Sequence, residues 1–341
     1  MINFAVVARR STGTWLVTVV TLASCVAVGA CGAIPESPAA QQTTSPPVGV
    51  SAHAEVETPP ETVQRLRTER DQALRRAAAS QKADKPRRAR KSAATDKASA
   101  GVKRSFTGLT HRLGGSVGVA YVPVGSGGKV TRYGALTSGP GWSTVKVPVA
   151  IAVVRSAGGH PSADDQRQMR RAITQSDNAA ALRLWSRLGS AKTAAAKTQR
   201  VLRDGGDTTT VVPALRRRPE FTPFGQSEVS LVAQATFAAA LPCVAGSGPV
   251  VRLMGQVTPG QQWGAGRLEG TVALKGGWGP GADGRYLVRQ MAILRLANGT
   301  RVGVALAVKP ADGRFDTGVA NLNAVARWVE HHVSAKREAG C

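Results

Sequence analysis

Acidic side chains are scarce in this chain: 21 Asp and Glu stand against 45 Lys and Arg, a formal net charge of +24. Histidine is scarcer still. The five present, His53, His111, His160, His331 and His332, show no metal-ligand spacing, so no metal site is expected, and the adjacent pair reads as solvated. The glycine-rich stretch GWGPGADGRY lacks the lysine and serine of a phosphate-binding loop and reads as a turn, which leaves no cofactor signature. No internal repeat is present, which excludes a solenoid or propeller.

Residues Leu16 to Ala30 form an apolar run, LVTVVTLASCVAVGA, which follows Arg9 and Arg10 and leads to Cys31. A charged start, a short apolar stretch and a small-residue end make an export signal. That end resembles the lipobox of bacterial lipoproteins, in which a cysteine is lipidated and becomes the new amino terminus. VGAC fits, with Cys31 as the lipidation site, and LASC ending at Cys25 is the alternative. A plain transmembrane anchor is the other reading, although the run is short for a full span. Residues 1–31 are thus expected to be a signal, and the remainder to lie on the outer face of the bacterial cytoplasmic membrane, tethered by lipid. Cys243 and Cys341 then remain, in a compartment that favours a disulfide between them over two free thiols. Export also removes nucleic acid, the usual partner of so basic a chain. Anionic lipid headgroups and anionic wall polymers are left as partners, or a basic surface that is simply solvated.

Residues 32–97 are expected to stay outside the fold. Gly32 to Pro60 is rich in Pro, Ser, Thr and Ala and buries too little to offset the entropy of ordering. From Gln64 to Arg104 there are 14 Lys and Arg against 4 Asp and Glu, first in a stretch with helix formers that reads as a solvated helix, then in a charged linker, KADKPRRARKSAATDK.

A folded domain is expected over 98–341. VKRSFTGLTHRLG reads as a short amphipathic helix, and SVGVAYVPVGSGGKVTRYGAL as two strands around a glycine-rich turn. Helices are expected from Ser143, from Ser162 to Thr174, from Asn178 to Leu188, from Ala191 to Asp204, and over EVSLVAQATFAAALPC. TVALKGGW, YLVRQMAILRL and TRVGVALAVKP then read as strands, the last two joined by Asn298-Gly299, and FDTGVANLNAVARWVEHHV as a closing helix. The order predicts an α+β fold. One antiparallel sheet is built from both chain ends and flanked by helices, with an all-helical insert between.

The stretch GWSTVKVPVAIAVV contains the first sign of chemistry. Lys146 lies three residues after Ser143, so on a helix the amine and the hydroxyl share a face. A serine hydroxyl becomes a nucleophile when a neighbouring base takes its proton, and a lysine is such a base only when neutral. The apolar run after Lys146 supplies the burial that lowers its pKa. SxxK alone is weak, since Ser126 and Lys129 repeat it inside a glycine-rich turn. Two further triplets add weight: SDN at Ser176 to Asn178, between two helical segments, and KGG at Lys275 to Gly277, entering the sheet run.

In order and setting these three resemble the SxxK, SDN and KTG set of the penicillin-recognising serine enzymes, the class A β-lactamases and penicillin-binding proteins. RAITQSDNAAALRLW and the edge strand and hairpin after Lys275 extend the similarity, which covers about Ala98 to Val333. The resemblance implies a β-lactamase-like fold acting as a monomer on a β-lactam or a peptidoglycan-related peptide. It implies Ser143 as the acylated nucleophile, Lys146 as its base, and Ser176 as the proton relay to the leaving nitrogen. Asn178 would hold the substrate amide, and Lys275 the substrate carboxylate, its charge helping to keep Lys146 neutral. Gly277 belongs to the same triplet, and the N–H of Trp278 would join that of Ser143 in an oxyanion hole.

Departures are equally plain. Gly276 replaces the family's hydroxyl residue, and the stretch from Lys146 to Ser176 is short, which opens the cleft. Class A enzymes use a glutamate in an ExxLN loop for deacylation, and no such motif follows GGDTTTVVPALRRRPEF. That position falls near Arg216, and Glu220, the nearest carboxylate, reads as a surface residue. Two functions therefore follow: a serine hydrolase that acylates and deacylates slowly, or a binding module for wall or envelope polymers that has lost the chemistry.

Overall fold

The computed structural model describes residues 60–125 and 127–335. The signal with Cys31, the spacer before residue 60, Ser126 and Cys341 lie outside the described residues. Cys243 is disulfide-bonded.

The chain divides into two compact units between Ala73 and Leu74. Of the first, residues 60–73 are described, and they are helical. They begin α1 (Pro60–Leu113), where the sequence suggested a solvated helix, a linker and a second short helix. The chemistry accounts for the continuity, because Ala, Arg, Lys and Gln dominate the stretch and lose little freedom in a helix.

In the second unit the last turns of α1 bury Phe106 and Leu109. There follow β1 (Ser116–Pro123), β2 (Thr131–Gly134), β3 (Ser138–Pro140) and a 3₁₀ turn, Trp142–Val145, that runs directly into α2 (Lys146–Ser156). The helical insert continues with α3 (Ala163–Thr174), α4 (Asn178–Arg187) and α5 (Ala191–Asp204). Each of these three helices is started by a capping side chain. Ser162 accepts from Asp165 N at 3.1 Å, Asp177 from Ala180 N at 2.8 Å and Ser190 from Thr193 N at 3.2 Å. The expected helix from Glu228 begins instead as β4 (Glu228–Ser230), a short strand paired with β3, before α6 (Leu231–Ala240). Then come α7 (Gly248–Met254), β5 (Thr271–Pro280), β6 (Tyr286–Arg295), β7 (Arg301–Lys309) and α8 (Phe315–His332).

The main sheet is antiparallel, ordered β2-β1-β7-β6-β5, so strands from both ends of the unit meet at β1 and β7, as expected. One face carries the insert, with Ile151, Ile173, Leu184 and Phe237 buried against Met291 and Ile293. The opposite face carries α8 and the end of α1, with Trp328, Val325 and Phe106 buried against Val119, Val288 and Leu306. Here His332 departs from a solvated reading. Its ring stacks on Trp328 at 4.9 Å and its Nε2 lies 2.9 Å from Ser105 Oγ, while His331 is exposed.

β5 is an edge strand, and it places the site. Along it Lys275, Gly277 and Gly279 face the 3₁₀ turn and the insert, while Gly276 faces Trp263. A Cβ on Gly277 would lie 2.9 Å from Gly141 O and 3.0 Å from Ser143 N, so only glycine lets the strand approach the serine this closely.

Candidate active site

Ser143 sits in the 3₁₀ turn rather than in the first turn of α2, with Lys146 the first residue of that helix. The turn is entered through Trp142 at φ 48°, and the SDN loop through Ser176 at φ 62°. Both are left-handed conformations that a non-glycine residue adopts at a cost of about 1–3 kcal/mol each, and such residues concentrate at functional sites.

Two buried lysines converge beneath the serines. Lys146 and Lys275 are each 1% exposed. Lys146 Nζ donates to Asn178 Oδ1 at 2.8 Å and to the carbonyl of Ser176, and reaches Ser176 Oγ at 3.4 Å. Lys275 Nζ donates to the same Ser176 Oγ at 2.8 Å and to Gly276 O at 3.0 Å. SxxK, SDN and KGG, far apart in sequence, therefore meet at one hydroxyl. Among the described residues no hydrogen bond joins Ser143 Oγ to Lys146 Nζ, because the amine is turned toward Ser176 and Asn178.

Burial sets the protonation of both amines. It lowers Lys146 from 10.5 to about 7, against a smaller opposing pull from the charge of Asp177. Lys275 is pushed well below 10.5, first by burial and then by the charge of Lys146. The resemblance implied that a charged Lys275 keeps Lys146 neutral. Repulsion between two buried amines disfavours charge on either of them.

Above the lysines opens a cleft of about 200 Å³. Its polar lining is Ser143, Ser176, Asn178 and Thr222, and its apolar lining includes the rings of Trp142, Phe221, Trp278 and Tyr286. No carboxylate is among its lining residues. Glu220 is exposed and paired with Arg218 at 2.9 Å, and Arg216 is exposed and donates to Pro219 O. Arg216, near which the sequence offset places the deacylating glutamate of class A enzymes, is thus a surface residue.

Gly276 also has a structural reason. A Cβ there would lie 2.6 Å from the Trp263 ring, which occupies the space of the missing side chain and meets Trp278 edge-on at 5.9 Å.

Three residues that sequence reasoning passes over hold the serine turn from below. Thr144 Oγ1 donates to Gly141 O at 2.6 Å and accepts from Gln234 Nε2 at 2.7 Å. Gln234 Oε1 in turn accepts from Arg289 Nη2 at 2.7 Å and Nε at 3.2 Å. Arg289, fully buried, also donates to Gly139 O at 2.7 Å and Val229 O at 3.1 Å, and burial lowers its guanidinium from 12.5 to about 10. The available signal was polar residues inside apolar runs: Gln234 within LVAQATF, and Arg289 with Gln290 within LVRQMAIL.

This arrangement of sheet and helical insert is matched in known structures. The chain has the class A β-lactamase fold. TLA-1 extended-spectrum β-lactamase aligns at a TM-score of 0.57 and 16% identity, over 68% of this chain and 98% of its own. A β-lactamase from Chitinophaga pinensis aligns at 0.54 and 17%, over 67% and 98%. The class A β-lactamase from Mycobacterium abscessus aligns at 0.54 and 18%, over 67% and 97%. By sequence alone neither a family model nor a characterised relative matches the chain. At this identity the likeness establishes the β-lactamase fold and leaves the chemistry to the residues of the site.

Proposed function

We propose that the protein is a β-lactamase-like serine hydrolase that forms an acyl-enzyme on Ser143 with a β-lactam or a peptidoglycan-related peptide and releases it slowly. The observation that carries this reading is the convergence of Lys146 and Lys275 on Ser176 Oγ, directly beneath a cleft lined by Ser143. Neutral Lys146 takes the proton as Ser143 Oγ attacks the carbonyl carbon, and the N–H groups of Ser143 and Trp278 receive the oxyanion. Ser176, supplied with protons by the lysines, protonates the leaving nitrogen, while Asn178 holds the substrate amide. Lys275, recharged by an arriving carboxylate, pairs with it.

Slow deacylation follows from a cleft lining without a carboxylate to activate water. In the same reading Cys31 carries lipid, residues 32–97 separate the catalytic region from the membrane, and the basic surface faces anionic wall polymers. The test is mass spectrometry after incubation with benzylpenicillin. A stable adduct on the wild type that is absent from Ser143→Ala supports the reading, and an unmodified wild type overturns it. The second reading, a binding module without chemistry, is favoured by the missing hydroxyl at Gly276 and by the lack of a Ser143–Lys146 hydrogen bond. It requires an unmodified wild type that still binds wall fragments.

A further inference from the structure

The lining of the cleft discriminates between the two substrate classes above. Its side chains include four rings and no charged group. The rings form two braced walls. On one side Trp142 meets Phe221 edge-on at 4.9 Å, and the guanidinium of Arg218 backs the Phe221 ring from 4.3 Å while also donating to Pro280 O at 2.7 Å. On the other side Trp278 and Tyr286 are held by Phe315, at 5.5 and 5.9 Å. Gly279, also in the lining, lets β5 pass close to Trp142, since a Cβ there would lie 2.6 Å from that ring. The two amines, in contrast, lie below the lining, and their hydrogen bonds are made to Ser176, Asn178 and Gly276.

We infer that the group attached to the reacting carbonyl is aromatic, or otherwise flat and apolar, and uncharged. Such a group is desolvated at little cost against the rings, whereas an ammonium there, or a carboxylate other than the one Lys275 receives, would be desolvated without a lining side chain of opposite charge. Among the candidates this selects an acyl donor with an aryl side group over a stem-like peptide, whose acyl portion carries charged side chains. The inference rests on acylation at Ser143 and specifies its substrate.

The test compares three p-nitrophenyl esters, phenylacetyl, acetyl and succinyl, on the wild type, Phe221→Ala and Tyr286→Ala. In each reaction Ser143 Oγ bonds to the ester carbonyl carbon, its proton passes to Lys146, and the C–O bond breaks to release p-nitrophenolate, which is followed by absorbance. The phenylacetyl ester is expected to acylate at least about tenfold faster than the acetyl ester, and the succinyl ester slowest, with the phenylacetyl advantage falling to about twofold in the variants. Equal rates for phenylacetyl and acetyl, or a succinyl ester that is fastest, overturn the inference and leave acylation intact. An advantage that survives in both variants also overturns it. Absence of an adduct with every ester and with benzylpenicillin overturns the proposed function itself, and this inference with it.

Discussion

Lys146 and Lys275 share one acceptor: each directs its ammonium nitrogen at Ser176 Oγ, from 3.4 and 2.8 Å, and each is almost wholly buried. Two ammonium groups so placed oppose each other's charge. At neutral pH the site is therefore rich in proton acceptors beside hydroxyls, which is what serine acylation needs.

One consequence is a pH-dependent cost to stability. An amine lowered to about 7 from 10.5 holds fewer protons folded than unfolded between those values. Its burial therefore destabilises fully below about pH 7 and no longer does so above about 10.5. Relative to the wild type, Lys146→Met is expected to be most favoured at pH 6 and to lose several kcal/mol of that advantage by pH 10. Urea denaturation across this range checks it, and a pH-independent difference would contradict it.

Gly276 and Trp263 are a matched pair. Gly276→Thr restores the hydroxyl of the related triplet but drives a Cβ into the tryptophan ring, and is expected to cost about 1–3 kcal/mol by overpacking. Adding Trp263→Leu should recover part of that loss. Denaturation midpoints of the single and double variants decide it, and additive losses would show that the two residues are not coupled.

The polar chain under the serine turn makes a third prediction. Gln234→Leu strips Arg289 of its side-chain acceptor and Thr144 of its donor, so a loss of about 3 kcal/mol is expected, because a buried cation is left short of partners. Thr144→Val should slow acylation of Ser143 about tenfold, and Thr144→Ser, which keeps the hydroxyl, should restore it. Acylation rates near the wild-type value in Thr144→Val would remove the positioning role.

Glu220 is expected to be a bystander. It is exposed and held by Arg218, so Glu220→Gln should leave the half-life of the acyl-enzyme unchanged within about twofold. A markedly longer half-life, followed by mass spectrometry, would identify it as the base that activates water.

Much of the fold is legible in the sequence, for reasons visible at particular residues. Helices α3 to α5 announce themselves through Ser162, Asp177 and Ser190, which cap them, and the β6–β7 hairpin through Asn298 and Gly299, the latter at φ 81°. β3 and β4 do not, since three-residue strands are too short to carry an alternating pattern. The three motifs identify Ser143, Lys146, Ser176, Asn178 and Lys275 as neighbours because their order matches a known set. What surrounds them is set by tertiary packing. Nothing local to Gly276 points to Trp263, and nothing near Thr144 points to Gln234 or Arg289. Even the orientation of Lys146, toward the SDN loop rather than toward Ser143, depends on a segment thirty residues away.

The most direct measurement is the rate of Ser143 acylation by benzylpenicillin as a function of pH, in the wild type and in Lys146→Ala. With Lys146 lowered to about 7, the wild-type rate should climb close to tenfold per pH unit below 7 and level off above it, while Lys146→Ala should be slower by at least about a hundredfold on that plateau and lose the wild-type pH dependence. A wild-type rate that is flat from pH 5 to 9, or a Lys146→Ala variant that acylates as fast as the wild type, would contradict a neutral lysine as the base.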